Sequence, residues 1–434
     1  MSTTRTSTTR TGTISRRSFG RLAGAGVASL ALPTYLRAQG KPRVVIVGGG
    51  AGGATAAKYV ARDSKGAIDV TLIEDSDTFT TCFFSNLYLG GYRDFTSITH
   101  GYDTLVSTYG VRKITGMAMA VDRAARTVTM ADGAVVPYDR LVLSPGIDIV
   151  HESVPGYSEE AARTAPHAWK AGPQTELLKA RLDALTDGQT IVMVAPPNPY
   201  RCPPGPYERV SMMAHVLKAK GFTNSKIFVI DPKDKFSKQG LFQEGWDRHY
   251  PGMVEWYGPD VHGGIKSVDV AAGTVETDLD TFAGALLNII PAQKAGAIAA
   301  AAGVAGDSGF CPIDAASMRS TMDEAIFVIG DASIAGDMPK SGFSANSQAK
   351  VAAMTIRAEL TGSKAFPAKY ANTCWSLIET DDGVKVGAQY EPKEGRIASV
   401  EGFVSQTGED AALRKATYEE SIGWYDGIVA DMFG

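Results

Sequence analysis

The 434-residue sequence lacks several features, and each absence narrows the possibilities. No apolar run reaches the roughly 18–20 residues a membrane-spanning helix needs, so no membrane span is expected. Histidine is scarce: His100, His151, His167, His215, His249 and His262 are scattered, with no pair at metal-ligand spacing, and no metal site is expected. There are four cysteines, Cys82, Cys202, Cys311 and Cys374, too few for a disulfide-built miniprotein. Hydrophobic residues make up 44% and charged residues 21%, which excludes a disordered or collagen-like chain. The length suits roughly two to four domains. Glycine is plentiful, at 47 residues, a sign of many tight backbone turns.

The net charge of −4 hides an asymmetry. The first 38 residues hold Arg5, Arg10, Arg16, Arg17, Arg21 and Arg37 and no acid. The remainder carries 37 basic against 47 acidic residues, a balance of −10. Such an acidic body argues against nucleic-acid binding and against adhesion to an anionic membrane. Ser15-Arg16-Arg17-Ser18-Phe19 is a twin-arginine pattern, followed by a weakly apolar stretch from Leu22 to Leu32, with Pro33 ending it and Ala38 a cleavage point. It reads as an export signal over residues 1–38, directing an already folded protein to the periplasm, where disulfides are permitted.

Arg43–Val47 is a continuous apolar run, as a buried parallel strand requires. The glycines Gly48, Gly50 and Gly53 follow in G-x-G-x-x-G spacing and open a helix through Ala54–Ala61. They suit a tight turn, close approach of a pyrophosphate and close helix–strand packing, with the helix N-terminus facing the phosphates. The next strand, Val70–Glu74, ends in an acid placed to bind a ribose 2′-OH. Leu141–Gly146 and Ala325–Asp331 are strands running into tight turns, and both are similar to the companion motifs of two-dinucleotide-domain flavoproteins. That likeness implies FAD, with Gly146 in the turn, Asp331 at the ribitol or phosphate region, and the positive end of a helix around Ser344–Met354 aimed at the flavin pyrimidine.

A second strand–turn–helix unit starts at Thr190–Ala195, but its turn carries six prolines between 196 and 206. Proline removes the N–H donors a pyrophosphate needs, so this unit is expected to hold no NAD. The turn reads instead as a rigid loop carrying Cys202, followed by a helix from Arg209 to Lys220. Asp231, ending the next strand, reads as a vestige of a ribose site or a helix cap. Short strands are expected over 250–285, and antiparallel strands at Val384–Tyr390 and Ile397–Val404. The expected fold class is α/β, with two Rossmann-like dinucleotide-binding domains of the disulfide-reductase-like flavoprotein type plus a C-terminal α+β interface domain. The boundaries are a signal at 1–38, FAD-binding segments at 39–150 and 286–361, a second dinucleotide-like domain without an NAD site at 151–285, and the interface domain at 362–434.

With Thr81–Asn86, Arg201–Arg209 and Tyr370–Cys374 in view, the mature chain resembles the flavoprotein subunit of flavocytochrome c sulfide dehydrogenase. The resemblance implies FAD attached by a thioether to Cys82, a redox-active disulfide between Cys202 and Cys374, and Glu208 as a nearby proton acceptor. It implies oxidation of hydrogen sulfide to sulfur or polysulfide, with electrons passed to a c-type cytochrome subunit. No Cys-x-x-Cys-His motif occurs, so haem is expected only on that partner. Read from residue types alone, Cys202 and Cys374 are either a structural bridge between domains or a catalytic pair, and Cys311 is a buried structural thiol.

Two other classes compete: a membrane-docking sulfide:quinone oxidoreductase and a non-enzymatic flavin-binding protein. Residues 417–434 carry Glu419, Glu420, Asp426 and Asp431 and no basic residue, which suits a protein interface better than anionic lipid. Trp424, Ile428, Val429, Met432 and Phe433 are either core or part of that interface, with Trp424 and Phe433 expected at the docking face.

Overall fold

The buried apolar runs become parallel strands in a computed structural model that describes residues 40–434 together with Thr4 and Thr6. The twin-arginine segment and its cleavage point lie outside the described residues. Strands β1 (Arg43–Val47), β2 (Asp69–Glu74), β3 (Arg112–Thr115), β4 (Arg140–Leu143) and β11 (Ile326–Val328) form one parallel sheet in the order β11-β4-β1-β2-β3. Helix α1 (Ala51–Ser64) leaves β1 with Ala54, Ala56 and Ala57 fully buried. These small side chains let it lie close to the sheet and to helix α5 (Gly342–Thr361). Strand order reverses at β1, so the carboxyl ends of β1 and β4 frame a crevice, the usual ligand position in such sheets.

A second parallel sheet follows the same plan: β6 (Thr190–Val194), β7 (Lys226–Ile230), β8 (Val254–Tyr257) and β9 (Leu286–Ile289), ordered β8-β7-β6-β9. This moves one expected boundary. The chain was expected to return to the FAD-binding domain at 286, but Leu286–Ile289 pairs with β6 and completes the middle sheet. A fully buried apolar run reads the same in either sheet, and only its partner decides. The crossing comes with β10 (Ala292–Ala295), antiparallel to β5 (Ile147–Val150). Helix α3 (Gly205–Ala219) begins before Arg209, with Pro206 in its first turn, where a missing N–H is harmless. Helices α2 (Pro173–Asp183) and α4 (Gln239–His249) pack on the same domain.

The expected C-terminal strands form an antiparallel sheet, β12 (Tyr370–Glu379), β13 (Asp382–Lys393) and β14 (Arg396–Val404). Helix α6 (Ala411–Phe433) follows, started by the Asp410 side chain accepting the Leu413 N–H. Its Ile428, Met432 and Phe433 are buried, and Phe433 stacks on His100 at 5.5 Å between ring centroids. Trp424 is half-buried against Trp375 at 4.9 Å. The assignment of Phe433 to a docking face is therefore corrected: helix periodicity turns these apolar residues inward. Among the described residues no helix is long and apolar enough to cross a membrane.

Glu379 locks the end of β12 to α3. It accepts hydrogen bonds from His215 at 2.7 Å, Lys218 at 2.9 Å and the Thr380 amide at 2.8 Å. Burial pushes this carboxyl up, but those bonds outweigh it and hold the group well below its ordinary 4.5. The stabilisation is therefore present above about pH 4.5 and lost as the pH falls through the lower folded-state value. Glu379→Gln is expected to cost about 1–3 kcal/mol at neutral pH. Urea unfolding at several pH values should show the gap to the parent narrowing between pH 5 and 3; a gap that stays constant contradicts this role.

Candidate functional site

The crevice at β1 and β4 deepens into a cavity of about 700 Å³. Gly48, Gly50, Glu74, Cys82, Gly146 and Asp331 all line it, together with Ser341, Gly342 and Ala345 at the N-terminus of α5. Gly48 has φ +95°, a conformation closed to most side chains. Gly53 does not reach the cavity. A Cβ there would stand 1.7 Å from the Gly48 carbonyl oxygen, so this glycine sets the close approach of helix and turn. Helix α1 starts at Gly50 with no side-chain cap, leaving its first amides available to a ligand.

Glu74 accepts the Gly49 N–H and braces the glycine turn while lining the cavity. Burial, aided by Asp75, pushes its carboxyl up to about 7. Asp331 is buried, with Oδ2 3.4 Å from an Arg201 guanidinium nitrogen and Oδ1 buried without a partner. A cavity of cofactor size, open helix amides and an orphaned carboxylate oxygen fit a bound FAD. Residues 48–50, Glu74 and Asp331 would hold it, and the flavin would supply a two-electron acceptor.

A chamber of about 60 Å³ adjoins this cavity and shares Cys82, Phe83, Arg201, Ser341 and Gly342 with it. Its walls bring together Cys82, Cys202, Cys374 and Glu208, with Phe343, Trp375 and Trp424 as apolar lining. Cys202 sits in the proline-rich turn with φ +57°, held by its N–H to the Lys340 carbonyl at 2.7 Å. Such a conformation costs a non-glycine residue about 1–3 kcal/mol and persists only where the surroundings impose it. Cys374 lies on β12 and also borders an outer groove of about 450 Å³ beside Pro203, Pro204 and Phe403.

All four cysteines are free thiols here, so the bond between Cys202 and Cys374 implied by the resemblance is not formed in this structure. Cys311 is fully buried on a two-residue strand beside Ser333, away from both chambers, with its thiol pushed up to about 11 by burial.

Glu208 projects from the first turn of α3. Asn86 Nδ2 donates to it at 2.8 Å and the Leu377 amide at 3.0 Å. Burial pushes its carboxyl up, which suits a group that takes and returns a proton. Arg209 is buried behind it, donating to Asn86 Oδ1 and to the His167 and Ala168 carbonyls.

At the end of β7 the Asp231 carboxylate is bonded from within the protein. Asp231 is fully buried; its Oδ2 accepts the Tyr207 hydroxyl at 2.6 Å and Trp256 Nε1 at 3.0 Å, and Lys233 Nζ stands 2.7 Å from Oδ1. Asp231 is not the N-cap of a helix; it caps a turn by accepting the Lys233 amide and gathers Tyr207, Trp256 and Lys233 around it. Sequence reasoning gave no role to Arg201, Asn86 or Lys238. The first two stand inside the quoted motifs, and the third sits in a polar run with no signal of burial.

This architecture defines a class, the two-dinucleotide-domain flavoproteins. Residues 42–184 match the pyridine nucleotide-disulphide oxidoreductase family. Residues 175–291 match the sulfide dehydrogenase [flavocytochrome c] flavoprotein chain, central domain, and 367–433 the flavocytochrome c sulphide dehydrogenase flavin-binding domain. The Chlorobaculum thiosulfatiphilum sulfide dehydrogenase [flavocytochrome c] flavoprotein chain is 55% identical over 47 residues, covering 11% of this chain and 96% of that one. The chain belongs to this family of flavocytochrome c sulfide dehydrogenase flavoprotein chains.

The Aquifex aeolicus sulfide-quinone reductase is 30% identical over 181 residues, 41% of this chain and 40% of that protein, so the alignment spans less than half of that relative. The X-ray structure of the Aquifex aeolicus sulfide:quinone oxidoreductase shares the fold at a TM-score of 0.71 and 19% identity, covering 88% of this chain and 91% of that one.

Asp331→Asn should weaken FAD binding by about 10–100-fold, the worth of one hydrogen bond to a charged group. Flavin fluorescence titration in a Cys82→Ser background measures this without interference from any covalent link. Unchanged affinity would show that the carboxylate serves Arg201 alone.

Proposed function

We propose that this chain is the flavoprotein of a periplasmic sulfide-oxidising enzyme, exported by its twin-arginine segment. In this reading FAD is attached through Cys82, and Cys202 and Cys374 form the redox pair. A c-type cytochrome subunit bearing the haem takes the electrons. The observation that carries the reading is the meeting of Cys202, Cys374 and Glu208 in one small chamber against the FAD cavity.

The chamber's volume is enough for a species as small as hydrosulfide. In the oxidised pair, hydrosulfide attacks one sulfur of the disulfide. A new sulfur–sulfur bond forms, the Cys202–Cys374 bond breaks, and the other cysteine leaves as a thiolate carrying the charge that hydrosulfide brought. Glu208 takes the proton that the persulfide gives up. FAD, when bound, accepts an electron pair and releases electrons singly, as a haem requires. The proline turn and the occupied Asp231 leave no seat for a nicotinamide dinucleotide. The fold likeness to a sulfide:quinone oxidoreductase supports a second reading, with a quinone as acceptor.

Sulfide should bleach the flavin absorbance. Cys202→Ser and Cys374→Ser should each abolish that bleaching with FAD retained, and Glu208→Gln should slow it about 10²–10⁴-fold. Wild-type rates in either serine variant would make the pair structural. After acid denaturation the Cys82 peptide should carry the flavin mass; complete release of flavin removes the covalent link. Stopped-flow mixing of sulfide-reduced protein with cytochrome c, a quinone analogue and NAD⁺ separates the acceptors. Reoxidation is expected by cytochrome c, and fast reoxidation by the quinone with none by cytochrome would move the protein to the second reading.

A further inference from the structure

Lys238 is buried just ahead of α4, in a left-handed backbone conformation with φ 61°. Its ammonium donates to the Cys374 carbonyl at 3.1 Å, Ser376 Oγ at 2.9 Å and the Val384 carbonyl at 3.3 Å. All three acceptors are neutral and lie on β12 and β13, so the charge itself is not cancelled by them. Holding such a charge out of water is costly unless an anion shares the site, and burial pushes this ammonium down to about 8, which leaves it charged at neutral pH.

The neighbouring groups able to become anions are Cys374, Glu208 and Cys202, while Arg414 from α6 opposes the lysine charge. Glu208 is tied to Asn86 and Leu377, and burial favours its neutral form. The two sulfurs differ in their surroundings. Cys374 Sγ accepts a hydrogen bond from Asn372 Nδ2 at 3.4 Å, and Asn372 is oriented by Ser341 donating to its Oδ1. Cys202 faces Cys374, Glu208 and Cys82, with Arg201 as its cation. Tyr390, on β13, completes the titratable groups around Cys374 and is held neutral by burial. Burial raises both thiols, and Lys238 and Asn372 oppose that rise at Cys374.

We infer that Lys238 is a positioning residue that keeps the negative charge of the reduced cysteine pair on Cys374 and leaves the proton on Cys202. Its three protons are spent on the strands, so it acts on the sulfur through its field and fixes Cys374 by gripping that residue's carbonyl. The pair matters here as the redox pair of the proposed function, yet its ionisation is measurable without sulfide.

The test is limited alkylation of the dithiol-reduced, FAD-containing protein with iodoacetamide across a pH series, followed by mass measurement of the Cys202 and Cys374 peptides. Midpoints of the pH dependence are compared rather than rates, so differences in access do not enter. Cys374 should titrate at the lower pH. Lys238→Met should cut the Cys374 thiolate fraction at neutral pH about tenfold, a shift of about one unit, and Lys238→Arg should restore most of it.

Cys202 titrating first overturns the assignment, and so does a Cys374 midpoint unmoved in Lys238→Met. The order of midpoints in the unmodified protein decides the matter even if the methionine variant does not fold. An asymmetric pair in a protein whose flavin sulfide does not bleach would uphold this assignment and overturn the proposed function.

Discussion

The hydrogen bond from the Cys202 amide to the Lys340 carbonyl joins the parts of this molecule that must meet. It ties the proline turn of the middle domain to the segment that leads into α5. Lys340 also reaches back with Nζ to the Asp331 and Ser333 carbonyls and so shapes the Gly-Asp turn. The next residue, Ser341, caps α5 through the Ser344 amide and donates to Asn372, which donates in turn to Cys374. One short segment thus fixes the FAD cavity, the cysteine turn and the strand bearing the second cysteine. A shift in any of the three would be transmitted to the others.

What the sequence made legible follows from local rules. The β1–glycine–α1–β2 unit could be read because each residue type there answers a backbone need: apolar strands, a positive φ at Gly48 and a close approach at Gly53. Most of the residues expected at the cofactor line one cavity, because the same backbone needs bring their turns together. The proline-rich turn was legible from composition, and the structure places it at the end of β6, ahead of α3. The chamber was not legible from residue types, since Cys202 and Cys374 are distant in the chain and either a bridge or a catalytic pair satisfies their spacing. Only the resemblance paired them, and the fold then placed both in one wall.

The failures also have physical causes. The boundary at 286 failed because β9 is buried on all sides and carries no mark of its sheet. The docking role of Phe433 failed because an apolar helix end is the same in sequence whether it faces a partner or a core. Lys238 was missed because burial of a lysine depends on acceptors supplied by distant strands. Asp231 was underrated because its partners Tyr207 and Trp256 come from other elements.

The proline run has an energetic consequence in the work of reorganisation. Each proline fixes its own φ and narrows the freedom of the residue before it. The turn therefore loses little entropy on folding, which helps offset the left-handed backbone at Cys202. A loop so stiff has few alternative shapes to relax into when a bond to its sulfur is made or broken. The mount on the other side is an edge strand held in register by its pairing with β13 and by a buried lysine. Were the two thiols to bond as proposed, two such stiff supports would leave the change to side-chain rotation rather than to rearrangement of the backbone.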